Sequence, residues 1–109
     1  MLRALSSLFV IIGLALPAAT SAGDDAARNL AAACTSCHST GDGVDGVKSL
    51  AGTRREVMVQ AMREFRSGSR SATVMQQIAA AYSDSQVDLI AAWFAAEPSP
   101  APPAGNARP

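Results

Sequence analysis

The amino-acid sequence predicts an all-α fold, and three observations carry that prediction. No segment shows the period-two alternation of β-branched residues that marks a half-buried strand. Apolar residues recur instead at helical spacing, as at Met58, Ala61, Met62 and Phe65. Two segments also open with a helix-start signal, Thr53-Arg54-Arg55-Glu56 and Ser83-Asp84-Ser85-Gln86. In each, a hydroxyl residue is followed three positions later by Glu or Gln, the pattern of a capping box.

Four helices follow from these signals. Asp24 and Asp25 favour a helix start through the macrodipole, and residues 26–33 are rich in alanine. Residues 39–49 hold Gly41, Gly43 and Gly46 with Asp42 and Asp45, which is turn chemistry. The second helix starts at the Thr53 box, buries the Met58–Phe65 stripe and stops before Gly68. Residues 67–73 are small and polar and read as a loop. A short helix over residues 74–82 puts Val74, Ile78 and Ala81 on one face. The last helix starts at the Ser83 box and runs to Glu97, where Pro98 stops it. Its inner face is Val87, Ile90, Ala91 and Phe94.

The ends lie outside this domain. Arg3 precedes an apolar run over residues 4–18, and Thr20-Ser21-Ala22 follow. A charged start, an apolar centre and small residues at the end define a secretory signal peptide, residues 1–22, cleaved after Ala22. The apolar run, broken by Gly13 and Pro17, is shorter than the ~20 residues of a spanning helix, so no stable membrane span is expected after cleavage. Residues 98–109, rich in Pro and Ala, read as a flexible tail. Residues 23–97 remain as one domain.

That domain is small and poor in large side chains, with Phe65, Tyr82, Trp93 and Phe94 its aromatics. Domains of this size commonly need a metal, a disulfide or another staple, and a bound macrocycle would supply the missing apolar surface. The chain carries nine basic and nine acidic residues. That balance, without interleaved aromatics, argues against nucleic-acid binding. The cations nevertheless crowd into residues 48–70, where Lys48, Arg54, Arg55, Arg63, Arg66 and Arg70 face only Glu56 and Glu64. A basic docking face over Arg54 to Arg70 is one reading; a solvated helix face is the other.

The chemistry concentrates in Cys34-Thr35-Ser36-Cys37-His38, which holds both cysteines and the one histidine of the chain. A thioredoxin-like pair needs a βαβ setting, which is missing. Structural zinc needs four ligands, and three are available. A plain disulfide leaves the adjacent histidine without a purpose. Covalent haem attachment needs two thiols for the two vinyl groups and a neighbouring histidine for the iron, and nothing more. One such motif predicts one haem c. Its second axial ligand has to come from another residue type, and methionine is the usual partner. The candidates are Met58, Met62 and Met75. Met58 and Met62 belong to the core stripe, where methionine serves as adaptable filling. Met75, beyond the glycine-serine loop, is the preferred candidate, followed by Met62 and then an open iron.

The stretch Cys34 to His38, the following Leu50-Ala51-Gly52 and the helix end "REFRSGSR" resemble small class I cytochromes c. Residues 71–95, "SATVMQQIAAAYSDSQVDLIAAWFA", resemble more particularly the cytochrome subunit of flavocytochrome c sulfide dehydrogenase. The resemblance implies a class I cytochrome c fold with about four helices around one covalently bound haem. It assigns Cys34 and Cys37 to the thioether bonds and His38 and Met75 to the iron, and it packs Trp93 and Phe94 against the first helix near Leu30. Relatives usually place a proline two or three residues before the Leu-Ala-Gly, next to the carbonyl that accepts the proximal histidine's ring N–H. Here Lys48 and Ser49 stand in that place. Some relatives carry two haem domains, whereas one motif occurs here.

With both axial positions filled, a haem gains and loses one electron with little rearrangement, which suits electron transfer and not bond chemistry. The resemblance therefore implies a periplasmic electron-transfer subunit. It would take electrons from an FAD-containing sulfide dehydrogenase flavoprotein and pass them to a downstream carrier. A free soluble shuttle between redox partners is the alternative. A haem sensor or peroxidase-like enzyme with a displaceable distal ligand is a third, of another class.

Overall fold

A computed structural model describes residues 22–39 and 46–100. The order is α1 (Ala22–Thr35), α2 (Arg55–Ser67), α3 (Met75–Ala80) and α4 (Asp84–Ala96). The helices carry the architecture, as the sequence predicts for a small cytochrome c fold. The signal peptide falls outside the described residues except at Ala22, as does the tail beyond Pro100 and the Gly41–Gly43 part of the turn segment.

α1 begins with Asp24 and Asp25 in its first turn and buries Ala27 and Ala31. It is four residues longer at its start than its alanine run suggested. It packs against α4 through small side chains, since Ala31 and Ala91 are both fully buried and share one core cluster with Met58, Ile90 and Phe94. Alanine at such a contact lets two helix axes approach closely. Leu30 and Trp93 pack at the edge of that cluster, where the resemblance placed the aromatic pair. The Arg28 guanidinium lies 5.6 Å from the centroid of the Trp93 ring. On α4 the expected inner face is realised residue by residue: Val87, Ile90, Ala91 and Phe94 are buried.

The two helix-start signals have different outcomes. Ser83 makes a full capping box: Gln86 N–H donates to Ser83 Oγ (3.2 Å) and Ser83 N–H donates to Gln86 Oε1 (2.9 Å). Thr53 makes none. Its N–H donates to the Leu50 carbonyl (3.1 Å), which commits Thr53 to the preceding turn, and α2 starts one residue later with Arg54 as N-cap. Glu56 is thereby moved to the second helical position. There it still opposes the macrodipole but no longer occupies the box position. α2 ends at Gly68, whose φ of +79° and N–H to the Phe65 carbonyl (3.2 Å) form a left-handed cap.

α3 turns a different face inward from the one its apolar residues mark. Val74 and Ile78 are exposed (57% and 39%), and Ala81 is exposed as well. The inner pair is Met75 and Ala79, one turn apart, packed with Met62 and Val87.

The basic segment is largely committed within the fold. Arg66 donates to Asp84 Oδ1 and to the Tyr82 carbonyl, both at 2.7 Å, tying the end of α2 to the start of α4. Arg55 pairs with Asp88, and Arg70 with Glu64 (2.7 Å). The docking face proposed for Arg54 to Arg70 therefore shrinks. Only Arg54 and Arg63 in that span make no ion pair among the described residues.

Candidate functional site

The last turn of α1 delivers the motif. Cys34 lies inside the helix, and its carbonyl accepts from both Cys37 N–H (3.3 Å) and His38 N–H (2.8 Å). These bonds close the turn that sets the two thiols and the imidazole on one short arc. The cysteines are not joined to each other. Cys34 is partly buried and Cys37 exposed. Burial pushes the Cys34 thiol above its ordinary pKa, so it stays protonated at neutral pH.

The imidazole of His38 is held at one nitrogen. Nδ1 lies 2.7 Å from the Lys48 carbonyl oxygen. A carbonyl can only accept, so Nδ1 carries the proton and donates it. In the neutral ring the lone pair then sits on Nε2, the nitrogen that remains available to a metal. The carbonyl acceptor for the ring N–H is thus supplied here by Lys48. Ala51 N–H donates to Ser49 Oγ (3.3 Å), and Gly52 N–H donates to the Phe94 carbonyl (2.9 Å). Gly52 has φ +73°.

The three candidate methionines separate by burial. Met58 and Met62 are core residues, at 5% and 8% exposure. Met75 is only partly buried, at the first position of α3 beside the exposed Val74. The structure joins Cys34, Cys37, His38 and Lys48 through hydrogen bonds. Met75 belongs to the separate packing cluster of Met62, Ala79 and Val87.

The residues fit a haem on their own chemistry. Two unpaired thiols stand beside an imidazole with its free lone pair on Nε2. A partly exposed thioether is available from a second element. Val57, Val74 and Ile78 are exposed apolar side chains of the kind a porphyrin covers (45%, 57% and 39%). Among the described residues no three His, Cys, Asp or Glu side chains gather to hold a bare metal ion. The sequence did not reveal the Gly52 contact, because a hydrogen bond between a turn and a helix some forty residues away leaves no local pattern.

Four helices among the described residues, the first ending on this motif, have the architecture of a small c-type cytochrome. No family model matches the chain. It is similar to a thiosulfate dehydrogenase electron acceptor from Stutzerimonas stutzeri, 40% identical over 77 residues, covering 68% of this chain and 36% of that protein. It is also similar to a cytochrome subunit of sulfide dehydrogenase from Chlorobaculum tepidum, 35% identical over 66 residues, which is 60% of each chain. The matches thus span about a third and three fifths of these relatives. Together with the fold, the likenesses support a cytochrome c subunit.

Proposed function

We propose that the protein is an exported one-electron carrier, the haem subunit of a dehydrogenase that oxidises a reduced sulfur compound. The observation that carries this reading is the His38 Nδ1 to Lys48 carbonyl bond at 2.7 Å. A histidine beside two free thiols, with its far nitrogen kept as a lone pair, is prepared to ligate a metal such as a haem iron. The two similar proteins, one an electron acceptor and one a cytochrome subunit, support the electron-transfer role.

In this reading Cys34 and Cys37 would hold the haem through thioether bonds, and His38 Nε2 and Met75 Sδ would be the protein ligands offered to its iron. Bound in this way, a haem c supplies reversible one-electron chemistry at iron. The chain contributes the rest. The Lys48 carbonyl fixes the ring of His38 and makes its Nε2 more basic. Met75 adds a soft ligand that favours the reduced state. Val57, Val74 and Ile78 offer apolar surface that keeps water from the ring. Residues 1–22 direct export to the periplasm and are removed there, residues 23–97 form the haem domain, and residues 98–109 follow as a tail.

The electron donor is a flavoprotein subunit carrying FAD, with sulfide as its substrate. The Stutzerimonas relative favours a second donor, a thiosulfate dehydrogenase. Protein purified natively from the periplasm distinguishes them through its absorption spectrum. Flavin in equal amount with haem, and haem reduction by sulfide, support the flavoprotein partner. Haem without flavin, reduced only when a thiosulfate dehydrogenase and thiosulfate are added, supports the second. Haem reduced by neither route shows a free shuttle, and a chain without covalent haem refutes the proposal.

A further inference from the structure

The Lys48 carbonyl is held by a turn with restraints on several sides. Within the turn, Ser49 Oγ accepts from Ala51 N–H (3.3 Å), a contact that is partly buried. Thr53 N–H donates to the Leu50 carbonyl (3.1 Å) and closes the turn. Gly52 N–H donates to the Phe94 carbonyl (2.9 Å) and anchors the turn to the end of α4. The chain after α4 then crosses the same point. A Cβ on Gly52 would stand 1.9 Å from Ser99 Oγ and 3.0 Å from Ser99 Cα, so backbone packs directly on that glycine.

We infer that the Ser49–Gly52 turn is a positioning device for the proximal imidazole, with Ser49 as its positioning residue. The inference rests on His38 being the haem ligand. Ser49 touches neither the iron nor His38; it acts through the Lys48 carbonyl. The Ser49 bond limits rotation of the peptide that carries that carbonyl, and the Phe94 anchor fixes the turn against the rigid α1–α4 pair. A steady carbonyl keeps a strong N–H···O bond at Nδ1. That bond makes the imidazole a better donor and stabilises ferric iron. Loosening the turn weakens the bond and raises the reduction potential.

The test is the reduction potential of the haem-loaded full chain in Ser49→Ala and Ser49→Thr, with the Nδ1 proton resonance of His38 followed by NMR. Ser49→Ala is expected to shift the electron-exchange equilibrium about threefold toward the reduced form, about 28 mV at 59 mV per tenfold change for one electron. Its Nδ1 proton is expected to exchange faster with solvent. Ser49→Thr, which keeps the hydroxyl, is expected to restore both. Should Ser49→Ala fail to accumulate, Gly52→Ala displaces the same turn against Ser99 and is expected to move both readouts in the same directions. Unchanged potential and proton exchange in a variant with intact histidine ligation overturn the inference, as does a threonine variant that behaves like alanine. Loss of histidine ligation in the wild-type protein would instead refute the haem reading beneath it, and the absorption spectrum separates the two failures.

Discussion

Replacing Phe94 by alanine should cost more stability than any other single truncation of an aromatic side chain in this domain. Phe94 is the largest fully buried side chain, with 0% exposure, and it sits where α1, α2 and α4 meet. Truncations of this kind cost about 3–5 kcal/mol, depending on how well the surroundings collapse. Two of its neighbours, Ala31 and Ala91, have no side chain to swing into the space. Met58 is flexible and recovers part of the loss. A value of about 4 kcal/mol follows. Urea unfolding of the haem-loaded protein reads it directly. With a slope of about 1 kcal/mol per molar for a small domain, the midpoint should fall by about 4 M. Trp93→Ala is the control. Its ring is partly exposed and contributes a cation–π contact with Arg28 worth about 0.5–1 kcal/mol beside a smaller burial term. A Phe94→Ala shift below about 1 M, or a Trp93→Ala shift larger than that of Phe94→Ala, would refute the packing argument.

Three further expectations concern α2, α3 and α4. Ser83→Ala removes the acceptor for Gln86 N–H and should lower stability by about 1 kcal/mol in the same urea assay, whereas Thr53→Ala should change it by less than half of that. Met75→Ala should alter the absorption spectrum and lower the potential, while Met62→Ala should leave both in place and cost about 2–5 kcal/mol of stability as a core truncation. The Arg66 guanidinium, by hydrogen bond and then by charge, holds the Asp84 carboxyl below its ordinary pKa of 3.8. A carboxylate depressed in the folded state stabilises it above the unfolded pKa, and the benefit disappears as pH falls through the folded value. The stability difference between wild type and Asp84→Asn should therefore be present at pH 7 and vanish on acidification below the carboxylate range.

The sequence revealed most where one local pattern decides the outcome. α4 is the clearest case: a capping box at its start, Val87, Ile90, Ala91 and Phe94 at helical spacing, and Pro98 at its end all agree. The motif at Cys34 to His38 is equally local, two thiols and a histidine within five residues, and the end of α1 delivers it as one turn. Where two local signals competed, the pattern misled. The hydroxyl of Thr53 suggested a cap, but the Leu50 carbonyl claimed its N–H and moved the helix start. On α3 the apolar spacing marked the face of Val74, Ile78 and Ala81, yet Met75 and Ala79 are the residues that fit against Met62 and Val87. The basic segment was left with two readings for a third reason. Asp84 and Asp88, its partners, lie on α4 and are invisible in a local charge count.

The contact between α1 and α4 sets a schedule for how the domain comes into being. Ala31 and Ala91 are separated by about sixty positions, and closing a loop of that length costs about 4 kcal/mol of chain entropy before any contact rewards it. During synthesis the cysteines emerge well before the end of α4. The turn that holds His38 through the Lys48 carbonyl therefore gains its anchor at Phe94 only when the final helix arrives. A chain cut short before Phe94 would keep every residue of the haem motif and still lose the lock that finishes it.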